Sequence, residues 1–265
     1  MIASPDDGRI VASRPAQGVA GIQIDRPAKR NAFTPGMLDA LAEAYTKADR
    51  DPGVRIIFLH AAGVHFTGGL DLGRMTEAGR IGEPLFPAAG VDPVGLFGPR
   101  PAKPVVVAIE GMCLTLGVEL TLAADVAVCS STARFAQVEV QRSIMAYAGA
   151  TIRMVERFGW GNAMRYLLTG DQFGADEALR LGLVQEVVEP GEAFEAGLAL
   201  ARSIAAAAPL AVQATIANAA LAVRSGQQAA IADLLPRARF LAGTEDAVEG
   251  VAAFRDKRPP KFSGR

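Results

Sequence analysis

The chain has 265 residues, half of them apolar and a fifth charged, with a formal net charge of −1. That length can bury a substantial core, and the near-neutral balance gives no bulk electrostatic case for binding nucleic acid or an anionic membrane surface. The opening MIASPDDGRI carries acids and no apolar core, unlike a signal peptide. With no apolar run as long as a membrane span, a soluble cytoplasmic protein is expected.

In chain order, residues 19–24 (VAGIQI) and 55–60 (RIIFLH) read as strands bounded by turn formers. Between them Thr34-Pro35 opens a helix with an N-cap and a proline at its first position, and Leu38, Leu41, Ala42, Tyr45 and Ala48 keep one apolar face. The stretch 76–103, dense in Gly and Pro, reads as a mobile loop or lid where substrate fit is decided. A third strand at 104–109 (PVVVAI) leads through Glu110-Gly111 into a helix around 116–124, and 125–129 and 133–135 read as strands again. This alternation predicts an α/β core with buried parallel pairing.

After Gly149 the pattern turns helical and Ala-rich over 149–169, 174–182 and 192–256, with breaks at Pro190, Pro209, Gly226 and Gly243; only VQEVV (184–188) looks extended. The reading is a core over residues 1–200 and a helical C-terminal region over 201–265. The basic runs Arg26–Arg30 and Arg255–Arg258 are, by themselves, ordinary solvated surface.

Two cysteines (Cys113, Cys129) and two histidines (His60, His65) show no metal-ligand spacing, and no GxSxG elbow is present, so neither a metal site nor a serine triad is expected. The chemistry-bearing signal is a pair of carboxylates, Glu119 in LTLGVELTLAADVAV and Glu139 in RFAQVEV. Burying a carboxylate among Leu, Val and Ala costs several kcal/mol unless it is paired, hydrogen-bonded or protonated. Two facing one cavity would have their proton affinities pushed apart, supplying an acid and a base. Alternatively Glu119 only caps a backbone or pairs an Arg, and Glu139 lies on a solvated strand face. In His65-Phe-Thr-Gly68-Gly69-Leu70-Asp71-Leu72, glycines after a strand let the backbone approach a ligand, and the pattern is not a dinucleotide fingerprint. The helix starting near Leu116 presents unpaired N–H groups, and amides of Leu70 and Leu116 converging on one carbonyl would form an oxyanion hole.

The ordered blocks RPAKRNAFT, HFTGGLDL, EGMCLTLGVELTLAAD and RFAQVEV, with the tail from Thr244 to Arg258, resemble the crotonase (enoyl-CoA hydratase/isomerase) superfamily. The resemblance implies a crotonase-like ββα-repeat core with a helical tail, a homotrimer or hexamer, and an acyl-CoA thioester substrate, with no cofactor besides the CoA it carries. It places Glu119 and Glu139 as the catalytic pair and Leu70 and Leu116 as oxyanion donors. Lys29, Arg30, Gly68, Gly69, Asp71 and Leu72 fall at CoA and substrate contacts, Tyr147 on the acyl pocket, and Phe254 and Lys257 where the tail closes over CoA. Three places depart from the family pattern: Thr115-Leu116-Gly117 replaces three glycines, Gln137-Val138-Glu139 lacks the usual proline, and Met145-Ala146-Tyr147 replaces Ile-Pro-Gly.

The expected reaction is hydration of a 2-enoyl-CoA, with Glu119 as base toward water and Glu139 as acid toward C2. Double-bond isomerisation, another enolate reaction of the same superfamily, and a non-catalytic acyl-CoA binder are the alternatives.

Overall fold

The computed structural model describes residues 7–265. Along the chain run β1 (Arg9–Ala16), β2 (Val19–Asp25), α1 (Pro35–Arg50), β3 (Ile56–Ala61), α2 (Leu72–Glu77), β4 (Val105–Ile109), β5 (Met112–Leu114), α3 (Leu116–Ala123), β6 (Val126–Ser130) and β7 (Arg134–Ala136). There follow α4 (Ala150–Phe158), α5 (Trp160–Thr169), β8 (Phe173–Gly174), α6 (Ala175–Arg180), β9 (Glu186–Val188), α7 (Ala193–Ala206), α8 (Pro209–Ser225), α9 (Gln227–Ala242) and α10 (Glu245–Arg255). Short 3-10 turns at Pro27–Lys29 and Glu139–Arg142 complete the path.

The main sheet has the order β1-β2-β3-β4-β6-β9. From β2 onward every pairing is parallel, and only the edge strand β1 runs antiparallel, to β2. Parallel strands are covered on both faces, so their residues are largely apolar and the period-2 alternation divides them between two cores. Ile57, Leu59, Val105, Val107 and Ile109 face the larger core with α1 and α3. Ile56, Phe58, Val106 and Ala108 face the other way, onto Leu198, Ala201 and Ala205 of α7. Thr34 caps α1 as its sequence predicts, accepting the Met37 amide at 3.3 Å.

A second sheet, β5-β7-β8, sits beside the first. The predicted strand at 133–135 belongs here, pairing parallel to β5 with Phe135 opposite Cys113. The single bridge Thr67–Cys113 pulls the loop after β3 onto this sheet, and the bridge Phe33–Leu70 ties the same loop to the segment before α1. The end of β3, the start of α3 and the end of β7 therefore meet at one place. The predicted helix over 149–169 is two helices, because Gly159 at φ +76° breaks the path between α4 and α5. The 76–103 stretch carries α2 to Glu77 and no further helix or strand. It is pinned by buried Asp92, which accepts the amides of Val94, Leu96, Phe97 and Gly98 at 2.9–3.3 Å.

Residue 200 lies inside α7, which packs on the sheet, and the change in packing comes after it, where α8 turns away by 105°. Among the described residues no single helix is long and apolar enough to cross a membrane.

The approach of α7 to the sheet depends on Gly197, where an added Cβ would stand 2.8 Å from Phe58 Cε2 and 3.1 Å from Ala108 Cβ. Gly197→Val is expected to cost about 1–3 kcal/mol in urea unfolding through overpacking; an unchanged midpoint would show that the helix can slide.

Candidate active site

Glu119 follows the first residue of α3 by three positions, nearly one turn, and is 3% exposed. Its Oε1 accepts the amides of Ala148 at 2.8 Å and Ala150 at 3.2 Å. Backbone bonding is thus part of its role, yet the side chain also lines a cavity of about 470 Å³. Burial pushes its carboxyl up to about 7, Glu139 adds to the rise, and the two amides oppose it. Glu139 opens the 3-10 turn after β7 instead of lying on a strand face, and it lines the same cavity. Burial pushes its carboxyl up to about 7 as well. Its Oε2 is buried without a partner among the described residues.

The two candidate oxyanion amides sit at the same cavity. The Phe33–Leu70 bridge uses flanking groups, Phe33 N–H to Gly69 O at 2.8 Å and Asp71 N–H to Phe33 O at 2.9 Å, which leaves the Leu70 amide without a backbone partner among the described residues. Leu116 is the first residue of α3, where an N–H has no partner within the helix. Thr115, just before it, adopts φ +48°, ψ −112°, a region that suits glycine. A Cβ on Gly69 would lie 1.8 Å from Thr115 Oγ1, so Gly69 must lack one where Thr115 has a side chain.

Asn31 locks these loops together. Fully buried at φ +55°, it accepts the Arg26 amide at 2.7 Å and donates to Ala62 O and His65 O, each at 2.8 Å. Its carbonyl accepts Thr67 Oγ1 at 2.7 Å, and that hydroxyl oxygen accepts the Gly69 amide at 3.0 Å. Asp71 has a structural task besides lining the cavity: it caps α2 through the Arg74 amide and pairs with Arg26 at 2.8 Å. Desolvation works against its ionisation, but the Arg26 and Arg74 bonds outweigh that and hold its carboxyl below the usual range.

Lys29, Arg30, Gly68, Leu70, Asp71, Leu72, Leu116, Glu119, Glu139 and Tyr147 all line this one cavity. Gly69 lies behind the lining, and Phe254 and Lys257, at the end of α10, do not reach the cavity within this chain; Phe254 is 88% exposed. Sequence reasoning missed the buried tie Asn31 and, on the cavity wall, Arg142 and Ile144, and it named Thr115 only as a departure from the family pattern. Asn31 stands inside the RPAKRNAFT block, and a buried Asn at positive φ is its only local signal. Among the described residues no three His, Cys, Asp or Glu side chains group as metal ligands. His60 is a neutral core group: burial pushes it down to about 4, and it stacks on Phe58 and meets Phe194 edge-on.

Residues 14–265 match the family model described as enoyl-CoA hydratase/isomerase. The enoyl-CoA hydratase EchA19 of Mycobacterium tuberculosis is 32% identical over 249 residues, covering 92% of each chain. The 2,3-dehydroadipyl-CoA hydratase of Escherichia coli is 33% identical over 262 residues, covering 97% of this chain and 99% of that relative. A crystal structure of a probable enoyl-CoA hydratase/isomerase from Mycobacterium abscessus superposes with a TM-score of 0.92 at 46% identity, over 99% of this chain and 100% of its own.

Two stability predictions come from this geometry. A carboxyl raised from 4.5 to about 7 on folding binds its proton more tightly when folded, so its contribution to stability falls as pH rises through that window. Thermal melts of Glu139→Gln should therefore gain on wild type more at pH 8 than at pH 5, and an equal gain at both would contradict the raised value. Thr115→Gly relieves the backbone and should raise stability by about 1 kcal/mol in chemical denaturation.

Proposed function

This chain belongs to the enoyl-CoA hydratase/isomerase family, the crotonase superfamily, and we propose that its reaction is the hydration of a 2-enoyl-CoA thioester. The observation that carries this reading is the pair Glu119 and Glu139 on one cavity wall, both held near 7, beside the amides of Leu70 and Leu116. The thioester oxygen takes those two amides, which stabilise the enolate as charge develops; a donor in such a hole is typically worth about 2.7–4 kcal/mol. Glu119, whose anion is favoured by two amide bonds, takes a proton from water as its oxygen bonds C3. Glu139, without such support at Oε2, delivers a proton to C2. Water is thus added whole, one hydrogen reaching C2 by way of the pair.

Exposed Lys29 and Arg30 at the cavity bring cations suited to the CoA phosphates. The C-terminal helices carry exposed apolar side chains, among them Leu235, Phe240, Val248, Val251 and Phe254. That pattern supports a homotrimer or hexamer in which Phe254 and Lys257 cover CoA on their own or a neighbouring subunit.

The decisive test follows the enoyl-thioester absorbance with crotonyl-CoA and a longer 2-enoyl-CoA. Wild type should consume both, and Glu139→Gln should be slower by about 10²–10⁴-fold. The dependence of kcat/KM on pH should be bell-shaped with its maximum near 7, because one carboxyl must be ionised and the other protonated. Binding without absorbance loss would sink the hydration reading and leave isomerisation or plain acyl-CoA binding.

A further inference from the structure

Tyr147 belongs to the segment after Glu139, which is tied to the main chain of Glu139 and to the carboxylate of Glu119. Upstream, the Ile144 amide donates to Glu139 O at 3.1 Å. Downstream, the very next amide, of Ala148, is the donor to Glu119 Oε1 at 2.8 Å. The ring lines the cavity with both glutamates, near Ile81, Leu85 and Ile144. Its hydroxyl oxygen is buried, and the backbone group that acts on it, the Gly82 amide, is a donor, so nothing among the described residues accepts the phenol proton. Glu139 Oε2 is the matching case, a buried acceptor with no donor.

One unused donor and one unused acceptor therefore share a wall that is otherwise largely apolar. Buried polar groups are rarely left so, and a ligand is one place the partner comes from. An unsubstituted acyl chain satisfies neither. The phenol is satisfied by an acceptor oxygen carried into the cavity and the carboxyl by a donor, and a water or a hydroxyl has both capacities.

We infer that Tyr147 is a third substrate-contacting group of this site, donating its O–H to the oxygen carried on C3 of the acyl group. The inference rests on the hydration reading for the identity of that oxygen. In hydration the oxygen arrives as water; in the reverse direction it is the hydroxyl whose bond to C3 breaks. No proton leaves the phenol in either direction: the carboxyl pair moves protons, while Tyr147 fixes the oxygen and steadies the charge it bears. Burial raises the phenol above its ordinary value, followed by the influence of Glu119, so it stays protonated where the carboxyls titrate. The wall also becomes selective, since acyl groups with an oxygen at C3 gain a bond that saturated ones lack.

Tyr147→Phe removes one oxygen and keeps the ring. Calorimetric Kd values for acetoacetyl-CoA, which has an oxygen on C3, and butyryl-CoA, which has none, report the bond directly, and neither ligand can be hydrated. The substitution should weaken acetoacetyl-CoA about tenfold and leave butyryl-CoA within about twofold. Equal weakening of both would make Tyr147 a packing residue, and no change in either would also overturn the proposal. The two readings fail separately: tenfold selective weakening without turnover of any enoyl-CoA removes the hydratase reading alone, whereas turnover with unaltered ligand preference removes the role of Tyr147 alone.

Discussion

Asn31 is the tie on which the site depends. A residue in the left-handed region, fully buried, spends its side-chain amide on Arg26, Ala62 and His65 and its carbonyl on Thr67. Those bonds join the turn bearing Lys29 and Arg30 to the loop bearing Gly68, Gly69 and Leu70. Neither segment is regular secondary structure, so without such a tie their backbone groups would take their geometry from solvent. An oxyanion donor acts by being in place before charge develops. The backbone bonds of Gly68 to Arg30 O at 2.7 Å, Phe33 to Gly69 O at 2.8 Å and Asp71 to Phe33 O at 2.9 Å join the same two segments, so the Asn31 side chain works with a set of direct main-chain ties.

The second constraint is electrostatic. Two carboxyls withdrawn from water are tolerated only where neighbours offset part of the cost. Glu119 Oε1 receives two amides and Glu139 Oε2 none among the described residues, so the two carboxyls are held differently although burial raises both to about 7. The strained Thr115 and the Cβ-free Gly69 fit the same picture: local backbone cost is concentrated where the amides must face inward.

Much of the sheet was legible because parallel strands bury both faces, so β2, β3, β4 and β6 appear as apolar runs. β1 was not legible: it is a half-exposed edge strand containing Pro15, with little alternation to read. β5 is three residues long between Gly111 and Thr115, and β8 only two, too short to show periodicity. Gly159 was read through because the apolar rhythm continues on either side of it. In the site, Glu119 and Glu139 announced themselves as charges in apolar surroundings, while Leu70 and Leu116 were marked only by their positions, after a glycine pair and at a helix start, since any residue has an amide. Asn31, Thr115 and the lone hydroxyl of Tyr147 were hidden because their significance lies in backbone sign and in missing partners.

The donors that serve Glu119 also have a kinetic meaning. Ala148 and Ala150 lie about thirty residues downstream, beyond β6, β7 and the 3-10 turn. A carboxylate lacking those donors stays hydrated at neutral pH, so α3 gains little by docking until the segment before α4 has arrived. The parallel sheet imposes the same delay, since each new strand must wait for a long crossover to close. Seating of Glu119 is thus coupled to the arrival of a segment about thirty residues further along the chain, and a chain cut before that segment would hold α3 with a charge it has no means to bury.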